Sequence, residues 1–308
     1  MLEQLEMKIV EVVEKVVPSI VSVTIEKLVE TQLSDAFPVE GRGSGVILTD
    51  SGYIVTNAHV IEEGKEVQVT LNDGRTFQSE VVGESVVQDL AFLKIDAKDL
   101  VPVEVAKYKP LKVGQFAIAI GHPLGLGATI TFGVVSALER TISSKKTFLE
   151  GLIQTSAQIN PGNSGGALVN IEGELIGIPT AMIQWSQGIG FAIASERIQD
   201  VFNELMDAGS LKTPWMGIMG ATLNKGIATH YGLPVDRGSF ILEVPEGPSR
   251  EAGLNAGDVI VSIDDMEIKG MQDLRAAIFK SKVGDEIIVK FYRSGDMQET
   301  RVTLDYAK

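Results

Sequence analysis

With 308 residues, 44% of them hydrophobic and 22% charged, the chain is long enough for two ordinary globular domains. Its net charge of −14 argues against nucleic acid, whose phosphates it would repel, and against an anionic membrane surface. It has no cysteine, which excludes disulfides, thiolate zinc sites and a cysteine nucleophile but leaves either redox compartment open.

Residues 3–17 place Leu5, Ile9, Val12, Val13 and Val16 at helical spacing with glutamates opposite, and Pro18 stops the predicted helix. The first six residues are acidic where a secretory signal would be basic, and Glu11, Glu14 and Lys15 interrupt the only apolar run resembling a span. As it stands the chain reads as cytoplasmic, and as extracytoplasmic if a leader has been removed. Ser19 to Ile25 reads as a strand. From Gly43 to about Ile193 short apolar runs alternate with turns, among them Val46 to Leu48, Leu90 to Ile95, Phe116 to Ile120 and Leu175 to Ile178. Asn72-Asp73-Gly74 is a hairpin signal. No helix is expected between the first one and Ser195, so this region reads as an all-β domain of two barrels.

Ser195 to Gly209 reads as a helix capped by Ser195, with Ile198, Val201, Phe202 and Leu205 on one face. A second unit follows, with strands at Val259–Ile263 and Glu286–Arg293 and an amphipathic helix at Met271–Lys280. The expected division is an N-terminal helical segment at 1–18, a mainly β domain at 19–209, a linker at 210–214 and an α+β domain at 215–308.

Gly162-Asn163-Ser164-Gly165-Gly166 carries the chemistry. A serine hydroxyl is a poor nucleophile near neutral pH unless a base stands beside it. Glycines let consecutive N–H groups converge on one point, as an oxyanion requires. Upstream lie His59, in Thr56-Asn57-Ala58-His59-Val60, and Asp89, before Leu90 to Ile95. Histidine is the side chain that serves as base and acid near neutrality. A buried aspartate would hold its second ring N–H and stabilise the imidazolium. Asp50, Asp73, Asp96 and Asp99 compete with Asp89 for that role. The order His, Asp, Ser points to a serine protease of the two-barrel type, with Gly162, Asn163 and Ser164 supplying the oxyanion-hole N–H groups. The same glycine-flanked serine fits the nucleophile elbow of α/β-hydrolases, which needs a helix directly after the serine and a later histidine. Here a hairpin pattern follows, and the only later histidine is His230 in the other unit.

Thr56 to Val60, Asp89 to Ile95, Ile159 to Leu168 and Gly188 to Ile193 together resemble the HtrA (Deg) family of serine proteases, over nearly the whole chain. The resemblance implies a chymotrypsin-like double β-barrel with His59, Asp89 and Ser164 as triad. Ser156 departs from an aspartate often found there. Gln158 occupies the position whose acidic residue makes a basic-residue pocket, so trypsin-like cleavage is not expected. Gln158 with Ile189, Gly190 and Phe191 is the expected substrate pocket, for small or medium aliphatic residues of unfolded chains. Gly247 to Ile260 resembles the PDZ domains of this family, and Trp215-Met216-Gly217-Ile218 aligns with their carboxylate-binding loop. There, backbone N–H groups would take a peptide C-terminus that adds as a strand to the sheet edge. The implied activity is ATP-independent degradation of unfolded proteins by a homotrimer, with no cofactor and no metal. A holdase chaperone or a peptide-binding adaptor with little proteolysis is the alternative. Residues 141–151 and 182–188 fall where the family has mobile regulatory loops.

Overall fold

The structure, a computed structural model, describes residues 2–306 except 32–33, 63, 65, 107–109, 123–126, 144–147, 161, 183–187 and 212–213. Two compact units emerge, the first formed by residues 1–142 and 149–211 and the second built on residues 212–308.

The first unit holds two barrels. Strands β1 (Ile20–Thr31), β2 (Ser34–Ile47), β3 (Tyr53–Thr56), β4 (Val67–Thr70), β5 (Thr76–Ser85) and β6 (Leu90–Lys94) close in the order β1-β2-β3-β6-β5-β4. The second contains β7 (Glu104–Val105), β8 (Phe116–Gly121), β9 (Thr129–Ser143), β10 (Phe148–Thr155), β11 (Ala167–Val169), β12 (Glu174–Met182) and β13 (Gly190–Ala194). These run β11-β8-β9-β10-β13-β12, the ring closes through β11 and β12, and β7 adds outside in parallel to β12. The mainly β, double-barrel expectation is met.

Strand alternation explains why the apolar runs are nearly continuous. Successive side chains on a strand point to opposite faces. On β6, Ala91 and Leu93 enter the interior of the first barrel, while Leu90 and Phe92 join a second core shared by both barrels. On β8, Ala117 and Ala119 fill the second barrel, and Ile118 and Ile120 face that shared core. Both faces are buried, so neither can be polar.

Among the described residues three α-helices complete the unit: α1 (Leu2–Val16), α2 (Ala58–Ile61) and α3 (Ser195–Ala208). Helix α1 is no loose extension, since Val12 and Val16 are buried in the shared core, each worth roughly 1.5–3 kcal/mol. Lys15 bonds Glu104 at 2.9 Å and the Glu172 carbonyl at 3.1 Å. Helix α2 corrects the expectation of no helix before Ser195. Four residues are too few to display a helical period. Val60 and Ile61 nonetheless bury one side of this turn in the first barrel. Helix α3 begins at Ser195 itself, and the N-cap position belongs to Ala194, whose extended backbone continues β13. Phe202 packs against Tyr53 and Phe92, 5.5 Å from each ring centroid. Gly209 ends α3 in the left-handed conformation with its N–H on the Leu205 carbonyl.

In the second unit β14 (Pro214–Trp215) pairs with β21 (Asp305–Tyr306). A sheet runs β15 (Met219–Thr222), β16 (Ser239–Glu243), β17 (Val259–Ile263), β19 (Glu286–Arg293) and β20 (Asp296–Thr303), with β18 (Met266–Glu267) on β17. Short helices α4 (Lys225–Tyr231) and α5 (Pro248–Glu251) lie between strands, and α6 (Met271–Lys280) sinks Leu274, Ala277 and Ile278 into the core with Ile241, Ile260 and Val289. The carboxylate of Asp258 takes two bonds from the Arg293 guanidinium, 2.8 and 2.7 Å, and one from the Asn255 N–H at 2.8 Å. Arg293 also reaches the Gly253 carbonyl at 2.8 Å, which pins the turn that leads into β17.

Candidate active site

The turn of α2 presents His59 directly after β3. Asn57 stands at its N-cap but makes no side-chain cap bond. Its amide instead donates to the Asp89 carbonyl at 2.9 Å. Asp89 ends the turn between β5 and β6 with φ = 52°, a left-handed conformation that aspartate tolerates better than most residues. Its buried carboxylate accepts the His59 backbone N–H at 3.1 Å, and both oxygens lie 2.9 Å from His59 Nδ1. The Thr180 hydroxyl donates to the other face, at Oδ2. Because a carboxylate only accepts, Nδ1 must carry the ring proton, which leaves the Nε2 lone pair free.

Ser164 is half-buried in a turn with φ = 105° at Gly162 and 81° at Gly165. A Cβ on Gly165 would fall 2.2 Å from the Ser44 carbonyl and 2.5 Å from the Thr56 hydroxyl, so only glycine fits. The Asn163 N–H donates to the Asn160 carbonyl at 3.0 Å. Of the three donors expected for an oxyanion, this one is therefore already engaged. Among the described residues the N–H groups of Gly162 and Ser164 have no protein acceptor. Nor do Ser164 and His59 bond each other among the described residues. Strand β12 joins the two halves. The Pro179 carbonyl accepts the Gly165 N–H at 3.1 Å, and the next residue, Thr180, holds Asp89. Thr180 escaped the sequence reading because a threonine inside an apolar strand carries no signal of its own.

The four expected pocket residues diverge. Gln158 is exposed, and its carbonyl accepts the Thr131 hydroxyl at 2.8 Å. Ile189 is half-buried against the shared core, and Phe191 lies within it. Gly190 is buried where a Cβ would fall 2.5 Å from Ile159 Cγ1. Of the family's loop segments, residues 144–147 and 183–187 lie outside the described residues.

In the second unit, the Trp215 ring lies 3.2 Å from where a Cβ on Gly217 would stand and 2.7 Å from one on Gly247. Met216 is a core residue whose carbonyl accepts the Ser249 N–H at 2.9 Å. Gly217 has φ = 78°, and Ile218 packs half-buried beside the core just before β15. Strand β15 ends the sheet, and its Thr222 hydroxyl accepts the first N–H of α6, from Met271, at 3.1 Å. No group of His, Cys, Asp and Glu among the described residues has metal-binding geometry. No described helix is long and apolar enough to cross a membrane.

The sequence matches the profile of the trypsin-like peptidase domain over residues 43–178 and that of the PDZ domain over residues 217–304. It is 41% identical to the periplasmic pH-dependent serine endoprotease DegQ of Escherichia coli, across 95% of this chain and 69% of that protein. Identity to the periplasmic serine endoprotease DegP of Escherichia coli is 40%, across 85% and 56%. The chain thus spans between about half and two-thirds of these curated relatives. Among solved structures it is similar to the HtrA-type protease AlgW with a decapeptide, with TM-score 0.75, 31% identity and coverage of 97% and 98%. The serine endoprotease from Yersinia pestis gives TM-score 0.71 and 31% identity over 97% of both chains.

Proposed function

The chain belongs to the HtrA family of serine-type endopeptidases, and from that premise we propose that it hydrolyses unfolded polypeptides with Ser164 as nucleophile. The observation that carries the assignment is the His59 ring, whose Nδ1 is held by both oxygens of a buried aspartate. His59 Nε2 takes the Ser164 proton as Oγ attacks the scissile carbonyl. Asp89 stabilises the imidazolium that forms, and the new oxyanion accepts the N–H groups of Gly162 and Ser164. Collapse breaks the C–N bond, and His59 passes its proton to the leaving amine. Water, deprotonated by the same ring, then frees the acyl group from Ser164.

The second unit binds peptide C-termini in this reading, with the chain laid along the open edge of β15 beside α6. Two sites on one chain raise the local concentration of an unfolded substrate at the catalytic cleft. The periplasmic names of the relatives support an extracytoplasmic setting over the cytoplasmic one, and family membership supports a homotrimer. Degradation of an unfolded model protein by the wild type and by Ser164→Ala, with EDTA and without ATP, tests the proposal. Cleavage by the wild type alone is expected. Cleavage by neither, with the unfolded chain kept soluble, replaces this reading with a holdase or adaptor.

A further inference from the structure

Ser44, on β2 of the first barrel, is fully buried and bonds across to the serine turn, 118 to 120 residues away in sequence. Its N–H donates to the Ser164 carbonyl at 3.1 Å, and its hydroxyl donates to the Gly162 carbonyl. The same hydroxyl accepts the His122 N–H at 2.8 Å, and the Ser44 carbonyl accepts the Thr56 hydroxyl at 2.6 Å. Glycines make this approach possible, since a Cβ on Gly121 would fall 3.0 Å from Ser44 Oγ.

Three consecutive carbonyls of the turn are thereby fixed. Gly162 O goes to the Ser44 hydroxyl, Asn163 O to the Gly166 N–H at 3.0 Å, and Ser164 O to the Ser44 N–H. A peptide unit is planar, with its N–H opposite its C=O, so anchoring a carbonyl also aims the following N–H. Holding Asn163 O inward therefore directs the Ser164 N–H the other way. The Gly162–Asn163 unit needs an anchor most. Gly162 has no Cβ to resist rotation of that plane, and its φ of 105° lies where glycine moves freely.

We propose that Ser44 is a positioning residue whose hydroxyl, by holding the Gly162 carbonyl, fixes the plane of the Gly162–Asn163 peptide unit; this unit lies between the two that carry the Gly162 and Ser164 N–H groups, and its fixed plane keeps both aimed at the oxyanion. The inference rests on the assignment of Ser164 as nucleophile. Without the hydroxyl, the Gly162 carbonyl and the His122 N–H both lose their partner in a buried setting, and the turn rotates to satisfy them. The loss falls on the transition state, because the donors face the oxyanion and not the ground-state carbonyl.

The test compares wild type, Ser44→Ala, Ser44→Thr and Ser44→Val on a short peptide substrate and a peptide boronate. Ser44→Ala should lower kcat roughly 10- to 100-fold, a loss of the order seen when oxyanion donors are disturbed, with KM nearly unchanged. Boronate affinity should fall by a similar factor, because the tetrahedral adduct uses the same donors. The acid limb of the pH profile should stay where it is, since His59 and Asp89 are untouched. Threonine keeps the hydroxyl and should restore most of the rate; valine, of the same shape, should not. If the alanine variant fails to fold, the threonine–valine pair decides. Equal rates for threonine and valine, boronate affinity unchanged in Ser44→Ala, or a displaced acid limb would each overturn the proposal. Wild type and Ser164→Ala run alongside: hydrolysis that does not depend on Ser164 refutes the parent assignment, and this one with it, before any Ser44 variant is compared.

Discussion

Two buried aspartates, one in each unit, show how the same burial serves opposite ends. The side chain of Asp89 is 6% exposed and that of Asp258 is 1% exposed. Asp258 faces a permanent cation, and its bidentate bond raises the pKa of the Arg293 guanidinium further. Asp89 has no Lys or Arg partner among the described residues. Its charge is held by a backbone N–H, a hydroxyl and a ring that becomes cationic only on taking a proton. One carboxylate is used up in stabilising a turn. In the proposed mechanism the other is kept for a charge that appears during reaction, which would separate a structural ion pair from a catalytic one.

The contrast can be broken from either side. Asp89→Asn should lower kcat by about 10⁴, because an amide no longer enforces the Nδ1–H tautomer, while the thermal midpoint moves little. Steady-state kinetics beside calorimetry separates these, and a large loss of stability with a modest loss of rate would contradict the assignment. Arg293→Met should do the reverse. It strands a buried carboxylate and should destabilise the second unit by about 3–5 kcal/mol, read by urea unfolding, with hydrolysis of short peptides retained. Thr180→Val removes one hydrogen bond to a charged group, worth about 1.5–3 kcal/mol, so kcat should fall by roughly one to two orders of magnitude. A rate within twofold of wild type would remove Thr180 from the site.

The smallest effect sharpens the comparison with a carboxylate that has no such partners among the described residues. Partial desolvation of this largely exposed side chain, and secondarily the nearby Glu62 charge, raises the pKa of Glu84. A raised carboxyl pKa favours the protonated form in the fold, so its contribution is present in acid and lost as pH rises through the folded value. Glu84→Gln should therefore be slightly more stable than wild type near neutrality and equal to it below the ordinary glutamate range. Thermal midpoints between pH 4 and 8 would show this, and an advantage that grew toward acid would reverse the sign.

Legibility in the sequence followed chemistry. His59, Asp89 and Ser164 stood out because the base, anion and nucleophile expected of them permit few residue types, and the structure does set His59 against Asp89. Strands were legible from apolar runs, although the runs could not say which face met which core. Leu90 to Leu93 reads as one block in sequence and serves two cores in space. Ser44, Asn57 and Thr180 were illegible because they act on backbone groups or on another side chain, through hydroxyls and amides common to any turn or strand. Phe191 is expected as a pocket wall and packs in the shared core, and a buried aromatic on a strand gives the same sequence pattern in either role.

The packing of α1 has a consequence for how the molecule is made. Val12 and Val16 share their core with Leu175, Ile193 and Ile198, so residues translated first find their partners only when the second barrel is nearly complete. His59 is likewise synthesised well before Ser164, on a different barrel. Until both barrels close, the growing chain exposes the apolar segments that later fill the shared core, and His59 and Asp89 wait without the turn that holds Ser164.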